Sequence, residues 1–224
     1  MSAESRHVDK FDRVRFRGPG ILKIVQGESE SLQVQAPAYL LPDIESQVEA
    51  GELRLGVRAR KIISLRVHRE VISYTLTVRE LNALKSSGLG RVLIPDIDND
   101  RFRLELSGMG HVILEQLTAD RLDVLISGAG TIHVKGDVEA QAIRISGAGH
   151  YKAQELVSDF ASVEISGAGA ADITVSEDLD VAISGAGHVT YAGYPELVKR
   201  ISGAGSVSRR RRTGRVPVNG EDHG

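Results

Sequence analysis

The stretch LDVLISGAGTIHV, residues 122–134, decides the fold of this chain. Its centre is the motif Ser127-Gly128-Ala129-Gly130, and on both sides of the motif aliphatic residues occupy every second position. Alternation with a period of two residues is typical of a strand that buries one face. The stretch therefore predicts two strands joined by a segment of small residues.

The motif recurs along most of the chain at a nearly constant spacing. Its seven copies, one SGLG, one SGMG and five SGAG, begin at Ser87, Ser107, Ser127, Ser146, Ser166, Ser184 and Ser202. Successive serines are 20, 20, 19, 20, 18 and 18 residues apart. A short, fixed period is typical of a solenoid in which each repeat forms one coil. We therefore expect an all-β, single-domain parallel β-helix (β-solenoid) with about 18–20 residues per coil.

Both glycines of each motif have the parity of the aliphatic residues, so they are expected to face inward. There they would allow bends with positive φ and leave room for a large aliphatic side chain from the opposite wall. Ser and Ala of the motif would point outward and stack on their equivalents in coils about 4.8 Å away. A helix is excluded because each glycine costs about 1 kcal/mol in a helix interior. The structural glycines of the repeat are Gly88, Gly90, Gly108, Gly110, Gly128, Gly130, Gly147, Gly149, Gly167, Gly169, Gly185, Gly187, Gly203 and Gly205.

The chain divides into a regular part and two atypical ends. Residues 1–10 are predicted to be a disordered N-terminus and residues 11–208 the β-helix, with irregular first coils and a cap over 11–80 and regular coils over 81–208. A cap is needed because an open end exposes the core and a strand edge. Residues 209–224, with five arginines between Arg209 and Arg215, are predicted to be a basic disordered tail. The tail is either a charged terminus that shields the last coil or an arm that binds anionic surfaces.

The composition excludes several classes of protein. The 224 residues carry a formal net charge of -2, so no overall field favours nucleic acid, and no nucleic-acid partner is expected. The absence of cysteine excludes disulfides, thiolate metal sites and a cysteine nucleophile. The sequence contains no run of about 18 apolar residues, so no transmembrane helix is predicted. Because residues 1–20 lack the apolar segment of a signal peptide, two locations stay open: the cell envelope or exterior if a signal sequence was removed, otherwise the cytoplasm.

Three histidines occupy the position that follows the motif. The residues at this position are, in chain order, Arg91, His111, Thr131, His150, Ala170, His188 and Ser206. Four of these residues, His111, Thr131, His150 and His188, are the candidate surface ladder, a row of outward polar side chains that could contact a partner. Alternate coils are about 9.6 Å apart, twice the strand spacing, whereas zinc ligands lie about 2 Å from a shared ion. We therefore expect an outward polar row with no metal and no cofactor, and the alternative is a histidine pair that includes His133.

No constellation of residues predicts catalysis. The aspartates of the repeats fall at different repeat positions, near the expected corners where Asp suits turns, and they are Asp120, Asp123, Asp137, Asp159, Asp172, Asp178 and Asp180. A glycosidase needs two acids at a fixed separation, and the repeated serines lack individual bases and orienting groups. No copy of the motif is followed by the Lys and Ser or Thr of a phosphate-binding loop. We therefore expect that the protein is not an enzyme.

The junction between the irregular and the regular part resembles a known family. The segments ILKIVQGE (21–28), GELRL (51–55) and YTLTVRELNALKSSG (74–88), followed by repeated SGAG, resemble the GIN domain, a bacterial envelope family named as the head of auto-transporter adhesins. The resemblance covers about residues 8–208. It implies a right-handed parallel β-helix on exported proteins or lipoproteins, and it implies no established activity.

Three hypotheses on function remain. The first is a non-catalytic structural or interaction module of the bacterial cell envelope or surface, adhesin-like, whose partner is an unidentified protein or glycan. The alternative is a self-assembling solenoid of the bactofilin kind, a homo-oligomer through the coil ends, because exposed strand edges pair with one another. The third is a carbohydrate-active enzyme, which the scattered aspartates disfavour.

Overall fold

A computed structural model describes residues 1–58 and 72–210, and this part of the chain is almost entirely strand. Its helical content is a single 3-10 turn, Leu41–Asp43, so no helix among these residues is long and apolar enough to cross a membrane. Eighteen strands form one hydrogen-bonded sheet that winds into a solenoid. The structure confirms the predicted all-β parallel β-helix.

The strands fall into an N-terminal group and a group that carries the motif. The N-terminal strands are β1 (Ser2–Arg6), β2 (Arg13–Arg17), β3 (Ile21–Gln26), β4 (Ser31–Ala36), β5 (Ile44–Glu49), β6 (Glu52–Val57) and β7 (Ser73–Val78). The others are β8 (Ala83–Ser87), β9 (Arg91–Ile94), β10 (Ile97–Asp98), β11 (Arg101–Leu106), β12 (His111–Ile126), β13 (Thr131–Ile145), β14 (His150–Ile165), β15 (Ala170–Ile183), β16 (His188–Ala192), β17 (Glu196–Ile201) and β18 (Ser206–Arg209).

Each regular coil contains three strand segments, which build three faces of the solenoid. In the coil that begins at His111, the segments are residues 111–114, 117–119 and 121–126, and the motif follows at 127–130. The alternation of buried and exposed residues also breaks at 115–116 and 120–121, where two successive residues are exposed. These positions are the other two corners, and we call the faces the first, second and third face in this order.

In-register stacking places equivalent apolar residues above one another inside the solenoid. On the first face Val112 pairs with Ile132 and Ile132 with Tyr151, and on the third face Val124 pairs with Ile143. All five side chains are buried. Full burial of one such side chain contributes about 1.5–3 kcal/mol, so the continuous core is the main source of stability along the stack.

An inner layer near the N-terminal end of the solenoid comes from β2 and β3, early in the chain. β2 lies between β6 and β8 on the third face, and β3 lies between β7 and β9 on the first face, with all four pairings parallel. Beyond β6 and β7 the pairing becomes antiparallel, with β4 on β7, β5 on β6 and β1 on β4. The irregular N-terminal region thus ends the stack with antiparallel strands. Residues 59–71 of the predicted first coils lie outside the described residues.

The prediction that residues 1–10 are disordered is wrong. Strand β1 pairs with β4 over five residues. The guanidinium of Arg6 donates hydrogen bonds of 2.6 Å to the carbonyl oxygens of Leu41 and Ile44. Backbone pairing and these polar contacts fix β1, and its sequence SAESR has no hydrophobic alternation that would reveal a strand.

The first two residues of the predicted basic tail belong to the solenoid. Arg209 is the last residue of β18 and pairs with Tyr191. The backbone N–H of Arg210 donates a 2.7 Å hydrogen bond to the carbonyl oxygen of Tyr191. Both arginines therefore belong to the last coil, because the strand ladder continues through them. The rest of the predicted tail, residues 211–224, lies outside the described residues.

Candidate functional site

The first glycine of each motif is required by a close approach between coils. A Cβ atom on Gly128 would lie 2.1 Å from the carbonyl oxygen of Gly108, and one on Gly147 would lie 2.2 Å from that of Gly128. The same collision, with the preceding coil's first glycine, would occur at Gly108, Gly167, Gly185 and Gly203. The backbone ladder continues through this corner, since the N–H of Ala129 donates to the carbonyl oxygen of Gly108 at 3.1 Å. Only a residue without a side chain allows this contact.

The second glycine makes room for an isoleucine of the coil before it. A Cβ on Gly149 would lie 2.3 Å from Cγ2 of Ile126, and one on Gly169 would lie 2.4 Å from Cγ2 of Ile145. The sequence predicted an aliphatic side chain from the opposite wall. The side chain that fills this space comes instead from the neighbouring coil. The expected positive φ occurs in the motif only at Gly88, where φ is 90°. Close packing, more than backbone conformation, dictates the glycines.

The residues that follow the motif form one row on the first face. The strand register links Arg91, His111, Thr131, His150, Ala170, His188 and Ser206 in this order. The row thus contains the four predicted ladder residues His111, Thr131, His150 and His188, of which His111 and His188 are exposed and the other two half-buried. Such a row can present imidazole and hydroxyl groups to a partner at regular intervals.

Two histidines of this row have polar partners from neighbouring coils. Nε2 of His150 lies 2.8 Å from Oδ2 of Asp172, and a guanidinium nitrogen of Arg210 lies 3.7 Å from the other carboxylate oxygen. Nδ1 of His188 lies 2.6 Å from Oγ of Ser206. These contacts join neighbouring coils across the face. Within residues 1–58 and 72–210 no three histidine, aspartate or glutamate side chains are grouped so as to hold a metal ion.

The aspartates singled out in the sequence are distributed among separate contacts. Asp123 pairs with Arg121 at 3.1 Å, and Asp180 pairs with Arg200 at 2.9 Å. Asp159 accepts a 2.8 Å hydrogen bond from the hydroxyl of Ser176. Since each of these carboxylates has its own local partner, the contacts account for them as parts of the solenoid surface.

A groove on the third face is the feature that the sequence interpretation missed. Two adjoining depressions of about 350 Å³ and about 170 Å³ share Leu125. We call them together the basic groove, and its basic lining residues are Arg15, Arg17, Lys85, Arg103, Arg121 and Arg144. The lining also contains two acids, Glu105 and Asp123. The period of the repeat relates Lys85 to Arg144, but the arginines of β2 join them only because β2 is inserted beside β8.

Like charges lie directly opposite one another along this groove. Arg15 faces Arg54 on one side and Lys85 on the other, and Arg101 faces Arg121. Such pairs are unfavourable in a sheet.

One buried acid offsets part of the positive charge. Glu52 lies 2.8 Å from Nε of Arg15. Burial acts to raise the pKa of Glu52, but the hydrogen bond and charge of Arg15, with smaller effects of Arg54 and Lys85, lower it below its ordinary value. The groove therefore has an excess of positive charge that an ionised Glu52 only partly neutralises.

The C-terminal end of the described solenoid exposes apolar and basic side chains. Tyr194, Val198 and Ile201 are 84%, 49% and 40% exposed. Lys199 lies opposite Val181, at an inward position that no further strand of the described part covers. The guanidinium carbon of Arg209 lies 3.5 Å from the centre of the Tyr194 ring.

The sequence matches the family model described as "Putative auto-transporter adhesin, head GIN domain" over residues 10–195. This match confirms the resemblance found in the sequence. Among the curated proteins, no relative of this chain is found.

Solved structures share the fold over nearly the whole chain. A putative adhesin from Bacteroides fragilis is 22% identical with a TM-score of 0.84, over 93% of this chain and 96% of that one. A putative lipid binding protein from Parabacteroides distasonis is 22% identical with a TM-score of 0.75, over 94% and 96%. A putative adhesin from Parabacteroides merdae is 20% identical with a TM-score of 0.73, over 94% and 96%. At these identities the likeness establishes the fold alone.

Proposed function

Because this chain belongs to the family of the auto-transporter adhesin head GIN domain, we propose that it is a non-catalytic, adhesin-like module of the bacterial cell envelope or surface. It binds a glycan or protein partner through side chains on the outer faces of the solenoid. The observation that carries this proposal is the strand register, which sets outward side chains in rows that run along the whole stack.

The interior supports a binding role for the outside of the molecule. Inward positions are filled by buried apolar side chains from Val14 to Val189, so the core is packed rather than shaped to enclose a ligand. The outer faces carry polar and charged residues that differ from coil to coil, as in the row from Arg91 to Ser206. A rigid scaffold with variable surface side chains suits recognition of an extended surface.

The proposal is tested by binding of the purified full chain to arrayed glycans and to intact bacterial and host cells. We expect saturable binding to at least one surface, and we expect it to weaken when outward residues of one face are changed. Absence of binding to every surface, or hydrolysis of a polysaccharide by the purified chain, would contradict the proposal. Fractionation of the native cells should recover the protein with the envelope.

A second candidate function is self-assembly through the coil ends. The exposed Tyr194, Val198 and Ile201 support it, since they lie at an edge that no other strand of residues 1–58 and 72–210 covers and unpaired strand edges are templates for association. Light scattering after size exclusion, with negative-stain images of the same peaks, separates the two functions. Open-ended filaments that lengthen with concentration would favour assembly, and a discrete monomer or small oligomer would favour the binding module.

A further inference from the structure

We propose that the basic groove on the third face binds an acidic polysaccharide, whose carboxylate or sulfate groups pair with the arginine and lysine side chains of the groove. This inference rests on the proposed function as a surface-binding module, and it names the face that binds and the chemistry of the partner.

The basic side chains form one continuous surface along the solenoid axis. They come from β2, β8, β11, β12 and β13, which are successive neighbours on the third face. Leu125 lies in both depressions and therefore joins the part around Lys85 to the part around Arg121. A groove that crosses successive coils suits a linear polymer better than a small molecule.

The charges of the groove are only partly neutralised within the protein. Arg103 lies 2.7 Å from Glu105, and Arg121 lies 3.1 Å from Asp123. Arg17 is exposed and has no ion pair among residues 1–58 and 72–210. Arg15 pairs with Glu52 at 2.8 Å, Lys85 with Glu105 at 3.5 Å and Arg144 with Glu164 at 3.3 Å. Six basic residues are thus offset by four acids, and an anionic partner would relieve the repulsion between the like charges that face each other across the strands.

The other lining groups favour a sugar polymer over nucleic acid. Ser87, Ser107 and Ser127 place hydroxyl groups in the larger depression, beside the cations. No aromatic ring lines either depression, whereas surfaces for single-stranded nucleic acid combine cations with rings on which bases stack. Hydroxyl and cationic groups side by side match a polymer that carries both hydroxyl and acid groups.

The excess of positive charge lies at one end of the third face, because on the third-face segments of β14, β15 and β17 the acids outnumber the basic residues Lys199 and Arg200. These segments carry the acids Glu164, Asp178, Asp180 and Glu196. An anionic polymer would therefore be repelled there, and it would contact the coils from β2 to β13. This polarity predicts binding by one part of the molecule and not by its overall charge, which is -2.

The test compares two triple variants of the full chain that lose the same number of positive charges. The groove variant is Arg17→Ser, Arg103→Ser and Arg121→Ser. The control variant, Lys23→Ser, Arg91→Ser and Lys152→Ser, changes exposed residues on the first face. Binding to immobilised heparin, polygalacturonate, uncharged dextran and single-stranded DNA is measured at several salt concentrations. Thermal unfolding of both variants serves to verify that they are folded.

We expect binding to heparin or polygalacturonate, no binding to dextran, and an affinity that falls as salt is raised. The groove variant should bind at least about tenfold more weakly, whereas the control variant should stay within about twofold of the parent; a tenfold change corresponds to about 1.4 kcal/mol. Heparin alone as ligand would identify sulfate as the recognised group, and polygalacturonate alone would identify carboxylate.

Three results would overturn the inference: equal losses in both variants, tighter binding to DNA than to either polysaccharide, or no binding to either polysaccharide. If neither polysaccharide binds while a neutral glycan or a cell surface does, the proposed function stands and only the basic groove is wrong. If the parent chain bound no surface at all, both the proposed function and the basic groove would be contradicted.

Discussion

At the scale of single residues, the stacking of the repeats depends on the absence of side chains at the motif glycines. A methyl group at Gly147 would lie 2.2 Å from the carbonyl oxygen of Gly128, a backbone atom that the strand ladder holds in place. The neighbouring Ala148 points to solvent, so its side chain is free to vary. Two adjacent positions of one motif therefore differ sharply in what they tolerate.

We expect Gly147→Ala to lower the free energy of unfolding by about 1–3 kcal/mol or more, because overpacking displaces the backbone of the adjacent coil. Urea unfolding followed by circular dichroism measures the change. The matched control, Ala148→Ser, should stay within about 0.5 kcal/mol of the parent because the site is exposed. Equal stability of the two variants would show that the close contact is not important for folding.

A buried polar cluster gives a second prediction at this scale. Tyr151 donates a 3.0 Å hydrogen bond to Gln141, and Gln141 donates a 2.8 Å bond to Ser158. Burial raises the pKa of Tyr151 and also that of Tyr74 above the ordinary value of 10.0. Both rings are therefore neutral in the folded chain at a pH at which they ionise in the unfolded chain.

Stability should accordingly be unaffected by these tyrosines below pH 10 and should fall as the pH rises above it. The slope is about 1.4 kcal/mol per pH unit for each tyrosine. Urea unfolding between pH 8 and 11.5 measures it. Tyr151→Phe removes one of the two groups and should reduce the slope relative to the parent, and an unchanged slope in this variant would contradict the assignment.

At the scale of elements, the alternation of apolar residues predicts strands well. It does not predict strands that are held by polar contacts, or the insertion of one strand beside another that is distant in sequence. The copies of the motif in the sequence predicted the regular coils because their parity and spacing follow from stacking in register. β1 was missed because Arg6 and backbone pairing hold it. The basic groove was missed because Arg15 and Lys85 lie far apart in the sequence and meet only where β2 pairs with β8.

β17, the last third-face strand in the described part of the chain, shows how an edge can be protected by a charge at an inward position. Its Lys199 continues the column of Val163 and Val181. Inward-pointing charges on edge strands oppose association with another strand. The lysine therefore opposes self-association through the exposed apolar side chains of Val198 and Ile201 on the same strand.

We expect Lys199→Ile to increase self-association, since it completes an apolar stripe on an open edge. Light scattering over a range of protein concentrations should show dimers or larger species that the parent lacks at the same concentration. Lys152→Ile adds the same apolar side chain on an exposed mid-stack position and should leave the mass unchanged. Association of both variants to the same extent would attribute the effect to surface hydrophobicity in general.

At the scale of the whole molecule, each coil contacts mainly the coils next to it, so the stack behaves as a one-dimensional array. The stability of such an array is a sum of terms for single repeats and for nearest-neighbour interfaces. The effect of a destabilising substitution on the stability of the stack then depends on the position of its coil. Gly147 lies between coils on both sides, whereas Gly203 lies in the last described coil, where a Cβ atom would lie 2.2 Å from the carbonyl oxygen of Gly185.

Hydrogen exchange read by mass spectrometry tests this dependence with two equivalent substitutions. In Gly203→Ala, faster exchange should be confined to about residues 188–209, because the last coil can open without breaking another interface. In Gly147→Ala, the faster exchange should extend into the coils on both sides of the motif, because the lesion interrupts the core between them. If Gly203→Ala instead accelerated exchange along the whole chain, the solenoid would unfold as a single cooperative unit, and its ends would be as stable as its centre.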